Sequence, residues 1–260
     1  MISHIGSLTL AHPEYASLGP ALESATDLLV ACALADGLIL ACGNGGSAAD
    51  SGHFVGELMK GFILPRPLGA IEIAEHAAAW PEGGSALAKR MQRAVRAISL
   101  VDQGALVSAI GNDLGYDLVY AQQVQGYGRK GDVLVAFSTS GNSANVVAAA
   151  RAARARGMGV IGFSGGSGGQ IASLCDVAIL VPAPATADIQ LGHLAAYHAL
   201  CAELEERLFG AASRPTAAAR ESPPAATVWE AAPVVAPRES APAGTARESS
   251  PAVNAGKGKR

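Results

Sequence analysis

Short apolar runs alternate with longer helix-forming segments along most of this 260-residue chain, and this alternation is the strongest constraint on its fold. Each run is short and nearly continuous, as expected for strands that are covered on both faces. The predicted strands are residues 37–42, 105–110, 132–137, 158–163 and 177–181. The predicted helices are residues 15–35, 47–61, 85–100, 116–127, 142–156, 167–174 and 187–209.

Strand–helix alternation of this kind predicts an α/β fold in three layers. Right-handed crossovers give a doubly wound sheet, here of about five parallel strands flanked by helices. Ligands of such sheets bind beyond the carboxyl ends of the strands, so the loops that follow strands are where function is expected. We expect the α/β domain to span residues 15–210, after an N-terminal arm at 1–14 and with a longer insertion at about 63–104.

The last part of the chain differs in composition from the rest. Residues 211–260 are mostly Ala, Pro, Ser, Glu and Arg, with few large apolar side chains to offset the entropy of ordering, so we predict a disordered tail. From Ser213 onward it holds seven Lys/Arg and four Glu. Because the net charge of the whole chain is −3, the residues before the tail carry a net charge of −6. An acidic body does not suit duplex nucleic acid, whose phosphates require clustered cations.

The sequence also predicts a cytoplasmic protein without a membrane partner. No run reaches the ~18–20 uninterrupted apolar residues of a spanning helix. The best candidate, at 28–42, is interrupted by Asp36 and Gly37. The first residues lack the basic region and apolar core of a secretory signal. The four cysteines are widely spaced, which is typical of reduced thiols rather than of a disulfide framework.

A glycine-rich loop, Gly43-Asn44-Gly45-Gly46-Ser47, follows the first predicted strand and opens a helix. Its glycines let backbone N–H groups approach an anion, and the helix N-terminus adds a favourable dipole. The loop is close to a dinucleotide fingerprint, but no clear acidic residue ends a second strand to hold a ribose. A tight turn without a ligand is the alternative.

A hydroxyl-rich loop, Ser138-Thr139-Ser140-Gly141-Asn142-Ser143, follows the strand predicted at 132–137. Phosphate oxygens only accept hydrogen bonds, so hydroxyls and amides are the matching donors. Ordinary helix capping is the alternative, but it needs only one of these hydroxyls. The loop has no flanking cation and no GK[ST] sequence, which favours a single phosphate monoester over a triphosphate.

Candidate ligands for a divalent metal lie on two predicted helices. His53 and Glu57 are four residues apart and share a helix face, where they form half of a metal site or a general base, unless the face is simply solvated. The closing helix carries Gln190, His193 and His198. Gln190 and His198 are separated by a rise of about 12 Å, so Gln190 and His193 form the easier local pair.

Four motifs in matching order and spacing resemble the sugar-isomerase (SIS) domain proteins, specifically the phosphoheptose isomerases. They are GNGGSAADSGHFVGEL at 43–58, IGNDLGYD at 110–117, FSTSGNSANV at 137–146, and Gln190 followed by His198. The resemblance implies the conversion of sedoheptulose 7-phosphate to D-glycero-D-manno-heptose 7-phosphate, which begins the synthesis of activated heptoses. It also implies a homotetramer with active sites at the subunit interfaces.

The resemblance further implies roles for individual residues. The residues that match the family's phosphate site are Ser138, Thr139, Ser140 and Ser143. Those that match the sugar site are Asn44, Gly45, Gly46, Asn112 and Asp113, with Glu57 and Gln190 also touching substrate. The matches to the zinc ligands are His53, Glu57, Gln190 and His198, and Glu57 and His198 match the acid–base pair as well.

Two departures from the family pattern leave the exact substrate open. One is the insertion at 63–104, and the other is the run Gln190-Leu191-Gly192, because the family usually has an acidic residue after the glutamine. The alternatives are an enzyme for another sugar phosphate, a non-catalytic SIS regulator that binds a sugar phosphate or a protein, and a dinucleotide oxidoreductase. The presence of Glu57 and His198 favours an isomerase, since a sensor needs no acid–base pair.

Overall fold

The computed structural model describes residues 2–210, which form a five-stranded parallel sheet with helices on both faces. The strands are β1 (Ile39–Cys42), β2 (Ala97–Ser99), β3 (Val133–Phe137), β4 (Gly159–Gly165) and β5 (Val177–Val181), in the spatial order β2-β1-β3-β4-β5. The helices are α1 (His4–Ala11), α2 (Gly19–Leu34), α3 (Gly46–Met59), α4 (Ala70–Ala79), α5 (Gly84–Ala88), α6 (Gly104–Asp113), α7 (Ala121–Tyr127), α8 (Ala144–Ala155), α9 (Gly169–Ala172) and α10 (Thr186–Phe209). The predicted fold class is confirmed, and the tail predicted at 211–260 lies outside the described residues.

The second strand is not where the sequence predicted it. Residues 105–110 belong to the helix α6, in which Val107 is partly buried and Ile110, one turn later, is buried. That spacing is helical, but an apolar run of this length fits a strand equally well. The true second strand is β2, whose Ala97 and Ser99 pair in parallel with Ile39 and Ala41 of β1.

The prediction of a helix at 85–100 is also wrong. Only its start is helical, because α5 ends at Ala88 and β2 occupies 97–99. The backbone between them forms hydrogen bonds with distant residues: the N–H of Arg93 donates to the carbonyl of Arg66, and the N–H of Val95 donates to the carbonyl of Leu58. Long-range pairing therefore overrides the local helical preference.

The sheet separates two apolar clusters. Successive residues of a strand point to opposite faces, so one strand serves both clusters. Ile39 and Ala41 of β1 join the cluster formed with α2, α3 and α10, whereas Leu40 and Cys42 join the cluster formed with α6, α7 and α8. All four residues are completely buried, which explains why the central strands are apolar without alternation.

The cysteines of this body are all free thiols, and three of them are buried. Burial raises the pKa of Cys32 to about 11 and that of Cys42 to about 12. The pKa of Cys201 is raised further by complete burial, and the half-buried Cys175 reaches about 12. These thiols therefore behave as apolar packing groups.

One stretch among residues 2–210, Pro13–Leu34, is long and apolar enough by composition to cross a membrane. Its α2 portion places Leu22, Ala25 and Leu29 completely inside the core against the sheet. On its outer side, the Arg207 guanidinium of α10 lies 2.6 Å from the Asp27 carboxylate. The stretch has the contacts of an amphipathic core helix.

A buried ion pair connects the end of α3 to α10. The Glu205 carboxylate accepts the Arg66 Nε–H at 2.6 Å and the backbone N–H groups of Phe62, Ile63 and Leu64 at 2.7–2.9 Å. Arg66 also donates to the carbonyls of the last turn of α3, with Nη1 at 2.8 Å from the Leu58 oxygen. Burial alone would raise the pKa of Glu205, but these donors outweigh it and hold the pKa below its ordinary value.

Glu205→Gln should lower the free energy of unfolding at pH 7 by about 3 kcal/mol, because it leaves the Arg66 charge buried without a counter-ion. Chemical denaturation measures the effect, with the exposed Glu75→Gln as the matched control. Since the native pKa of Glu205 is depressed, its contribution is present above the ordinary glutamate pKa and is lost as pH falls through the native value. Equal stability of the two variants at pH 7 would contradict this account.

Candidate active site

The chain changes direction along the sheet between β1 and β3. From β1 it crosses to β2 on one side, whereas β3 lies on the other side and pairs directly with β1, as in Cys42 opposite Ala136. The loops that leave β1 and β3 therefore emerge side by side, and α3 and α8 begin there on opposite faces. Such a switch point opens a crevice at the carboxyl edge of a parallel sheet.

The glycine-rich loop after β1 is held in one shape by its neighbours. Gly45 has φ +55° and ψ −120°, a conformation that residues with a Cβ rarely adopt. The Asn44 and Asn145 amides exchange two hydrogen bonds of 2.8 Å, and the Tyr120 hydroxyl donates to the Gly43 carbonyl at 2.5 Å. The loop is thereby attached to α8 and α7, and its exposed Gly45 and Gly46 face solvent.

The hydroxyl loop after β3 collects the predicted phosphate residues. Ser138 is buried with its Oγ 3.1 Å from the Ser143 Oγ, while Thr139 is half-buried and Ser140 is exposed. Ser143 occupies the N-cap of α8 but makes no capping hydrogen bond with its side chain. Capping of α8 therefore does not account for Ser143, and the first backbone amides of α8 lie beside it as further anion donors.

A cavity of about 420 Å³ lies between the two loops. Its lining residues are Asn44, Tyr116, Asp117, Ser143, Ala144 and Asn145. The predicted sugar residues Asn112 and Asp113 are exposed at the end of α6 and hydrogen-bond to each other at 2.7 Å. The motif at 110–117 thus reaches the cavity through its last two residues, and the sugar contacts of Asn112 and Asp113 stay a prediction.

Three of the four predicted metal ligands come together where α3 packs on α10. The Nε2 atom of His53 lies 3.0 Å from the Glu57 Oε1 and 3.4 Å from the His198 Nε2. Ligand atoms of all three side chains lie within 4.8 Å of one another. His53 is exposed, His198 is half-buried and Glu57 is buried. The cluster therefore reaches solvent at His53 and has its carboxylate in the interior.

Gln190, the fourth predicted ligand, lies on α10 but contacts the start of α3 rather than the His53 cluster. Its side-chain amide packs on Gly46 so closely that a side chain at position 46 would overlap it. Gly46 precedes His53 by seven residues, a rise of about 10 Å along α3. Within one chain Gln190 therefore lies beside the glycine-rich loop rather than with the His53 cluster, and its role as a ligand stays a prediction.

The residues after Gln190 have a packing explanation. Gly192 is buried, and any side chain there would overlap Val181 of β5, so glycine allows α10 to approach the sheet closely. His193 is completely buried, with its Nε2 3.2 Å from the Ser164 carbonyl, and burial lowers its pKa to about 4. It is a neutral core residue, not part of the His53 cluster.

The charges around Glu57 favour its ionised form. Burial would raise its pKa, but Lys60, whose Nζ lies 2.6 Å from Oε2, and then His53 outweigh burial and hold the pKa below its ordinary value. Burial, reinforced by the charge of His53, lowers the pKa of His198. Near neutral pH the cluster therefore presents a carboxylate beside a neutral imidazole, which suits proton transfer.

Sequence reasoning missed three residues that support the cluster. They are Lys60, Asp50 and Tyr197. The Tyr197 hydroxyl lies 2.9 Å from the Nδ1 of His53, and burial followed by the negative charge of Asp50 raises the pKa of Tyr197. Asp50 stands in the same helix three residues before His53, a signal that helical spacing alone could have supplied.

The donor set of the cluster fits a divalent metal. Two imidazole nitrogens and one carboxylate oxygen are the ligands that zinc takes in catalytic sites, where a fourth position stays open. The Nε2 atom of His53 faces both the Glu57 carboxylate and the Nε2 atom of His198, and the other ring nitrogen of His53 contacts the Tyr197 hydroxyl. Such an outer contact is the usual support of a metal-bound histidine.

Gly45→Ala should destabilise the protein by about 1–3 kcal/mol, because alanine is strained at the φ and ψ of this loop. Gly56→Ala is the matched control: Gly56 lies in α3 with nothing within 4 Å of an added Cβ. There the helix preference of alanine should make the change neutral or stabilising by up to about 1 kcal/mol. Thermal and chemical denaturation compare the two, and an equal loss in both would refute the conformational argument.

Comparison with known proteins places the chain among sugar-phosphate isomerases. Residues 14–99 and 73–165 match the sequence model of the SIS domain family. A phosphoheptose isomerase of Chromohalobacter salexigens is 39% identical over 201 residues, which cover 75% of this chain and 89% of that protein. One from Neisseria gonorrhoeae is 43% identical over 180 residues, covering 68% of this chain and 78% of its own.

Solved structures agree with the sequence matches. A phosphoheptose isomerase structure from Neisseria gonorrhoeae superposes with a TM-score of 0.60 at 37% identity, covering 78% of this chain and 95% of that one. A phosphoheptose isomerase structure from Francisella tularensis gives a TM-score of 0.60 at 29% identity, with 72% and 86% coverage. Both matches extend over most of the described body.

Proposed function

Because the chain belongs to the SIS domain family and, within it, to the phosphoheptose isomerases, we propose that it is a cytoplasmic aldose–ketose isomerase. Its substrate is sedoheptulose 7-phosphate and its product is D-glycero-D-manno-heptose 7-phosphate, for the synthesis of activated heptoses. The observation that carries the proposal is the grouping of Glu57, His53 and His198 on helices that start at the crevice. A non-catalytic sugar-phosphate sensor needs no such group.

The hydroxyl loop binds the phosphate end of the substrate. Ser138, Thr139, Ser140 and Ser143 supply hydroxyl donors, and the start of α8 adds backbone amides. The cavity beside this loop, with Asn44 and Asn145 on its wall, is bounded by amides that suit sugar hydroxyls. This part of the site orients the sugar and provides binding energy far from the reacting carbons.

Isomerisation moves a carbonyl from C2 to C1, so a proton must leave C1 and return at C2. Glu57 takes that proton, because Lys60 holds the carboxylate in its ionised form near neutral pH. His198 carries the proton between the two oxygens, since its neutral ring can both accept and donate. The route passes through an enediol, with both groups returned to their starting states.

His53, Glu57 and His198 would hold one zinc ion per subunit, with Gln190 as the further ligand predicted from the family. When bound, zinc supplies Lewis-acid polarisation of the sugar carbonyl and of the negative charge that develops on it. The chain's own part is to orient the ligands: Tyr197 fixes the ring of His53, and Lys60 occupies the outer oxygen of Glu57.

We also propose that the working enzyme is a homotetramer whose active sites lie between subunits. Glu57 is eleven residues beyond Gly46, about 16 Å along α3 from the loops that bind phosphate. A single heptose phosphate spans that distance poorly, which supports a phosphate loop and an acid–base cluster contributed by different copies. Such an arrangement also brings Gln190 of one copy toward the His53 cluster of another.

Glu57→Gln should reduce turnover of sedoheptulose 7-phosphate by a factor of about 10²–10⁴, because glutamine cannot accept the substrate proton. Binding of the sugar phosphate should persist, since the hydroxyl loop is unchanged. A product assay by chromatography and a direct titration measure the two properties, with Glu75→Gln as the control. Retained turnover in Glu57→Gln would remove the assigned role, and no turnover in the zinc-loaded wild type would remove the isomerase proposal.

His53→Ala and His198→Ala should each weaken Zn²⁺ binding by more than the ~10–100-fold that is typical of losing an outer contact. The reason is that each variant removes a direct ligand. Competition with a chromogenic chelator measures the affinity, and elemental analysis gives the stoichiometry. His76→Ala, a histidine on α4 outside the cluster, is the control. Unchanged affinity in both ligand variants would place the metal elsewhere.

A further inference from the structure

A cavity of about 420 Å³ lies at the amino edge of the sheet, opposite the candidate active site. Arg96 and Asp132 belong to its wall and immediately precede β2 and β3, which places the cavity where these parallel strands begin. Its volume is within the ~300–1,000 Å³ of small-molecule sites. The charged and aromatic residues of the wall are Asp36, Arg96, Tyr127, Arg129, Lys130 and Asp132.

Both carboxylates of this wall are already engaged. Asp132 is buried, and its two oxygens accept the backbone N–H groups of Leu38 at 2.8 Å and of Arg129 at 2.7 Å. Asp36 takes a φ of +56° at a helix end where glycine is usual, and its carboxylate lies 3.6 Å from the Nη1 of Arg96. Arg96 also donates to the Asp36 carbonyl. The two acidic residues therefore hold the wall and the Arg96 side chain in place.

Three cationic side chains of the wall remain available to a ligand. The side chains of Arg129 and Lys130 have no hydrogen-bond or ion-pair partner among residues 2–210, and both residues are exposed. Arg96 contacts Asp36 only through Nη1, so the Nε–H and Nη2 of its guanidinium are also free within these residues. Because the chain before the tail carries a net charge of −6, this group of cations is opposite in sign to the body around it.

The chemistry of the wall indicates the class of ligand. A guanidinium forms paired hydrogen bonds with two phosphate oxygens, and an ammonium adds a point charge, so three cations match a diphosphate better than a single phosphate. A diphosphate alone is much smaller than the cavity, which leaves room for an organic part. The Tyr127 ring, with 37% of the residue exposed, provides a flat apolar face on which a planar base stacks.

We propose that this cavity binds a nucleoside diphosphate, with Arg96, Arg129 and Lys130 on the diphosphate and Tyr127 against the base. The inference goes beyond the isomerase proposal and does not depend on it, because the cavity and the candidate active site lie at opposite edges of the sheet. β1 and β3 nevertheless connect them, since both strands begin at the cavity and end at the glycine-rich and hydroxyl loops.

Calorimetric titration of the full-length protein with ADP tests the proposal. The double variant Arg129→Gln/Lys130→Gln should weaken ADP binding at least about tenfold, because it removes two charge-assisted contacts to phosphate. Lys89→Gln/Arg90→Gln is the matched control: it removes an equal charge from an adjacent, exposed pair at the end of α5, outside the cavity, and should leave the affinity unchanged. Circular dichroism confirms that both double variants are folded.

Further titrations separate the base from the phosphates and this cavity from the active site. Tyr127→Leu should weaken ADP binding about tenfold through lost stacking while sparing pyrophosphate, which has no base. Ser140→Ala, in the hydroxyl loop, should leave ADP binding unchanged.

Three results would overturn the proposal. The first is no saturable binding of ADP up to ~1 mM, the weak end of typical metabolite affinities, which would leave the cations only to offset the C-terminal dipoles of α2 and α7. The second is an equal ADP affinity of the two double variants. The third is pyrophosphate binding as tight as that of ADP, which would remove the nucleoside. None of these results bears on the turnover of sedoheptulose 7-phosphate, so the two proposals fail separately.

Discussion

The arrangement of the site depends on the ion pair and hydrogen bonds of the buried Glu205 carboxylate. It joins α10 to the segment that leaves α3, because one carboxylate receives three consecutive backbone N–H groups and the Arg66 guanidinium. Arg66 in turn closes the last turn of α3. The two helices that carry the imidazoles and the carboxylate of the cluster are thus locked in one relative position at their C-terminal halves. A buried charge pair of this kind contributes little net stability but penalises every other arrangement.

The site is organised along α3 from one end to the other. Its first turn lies at the glycine-rich loop, beside the proposed phosphate site, and its last turns carry Glu57, the proposed base. The glycine-rich end is held by amide and hydroxyl contacts from the opposite face of the sheet, whereas the far end is held by α10. The proposed binding site and the proposed acid–base site therefore depend on different sets of supporting contacts, so a single substitution should weaken one while sparing the other.

The sequence was informative about features that depend on residues close together in the chain. Glycines after a strand, clustered hydroxyls and the i, i+4 pair of His53 and Glu57 predicted two loops and a helix, and the structure has them after β1, after β3 and in α3. It failed at 105–110, because a short apolar run carries no period that separates strand from helix. It also missed the partners of the cluster: Arg66 and Glu205 are 139 residues apart, and Tyr197 reaches His53 across 144. Pairs of this kind depend on the folded path of the chain and leave no local pattern.

The burial of the thiols has a practical consequence for studying the molecule. With pKa values raised to about 11 or above, Cys32, Cys42 and Cys201 hold almost no thiolate at neutral pH and are shielded from reagents, and Cys175 at about 12 is scarcely more nucleophilic. A single cysteine introduced on an exposed helix would therefore react selectively with a maleimide dye in the otherwise native body. Distances between copies could then be followed by fluorescence without first removing the native sulfurs.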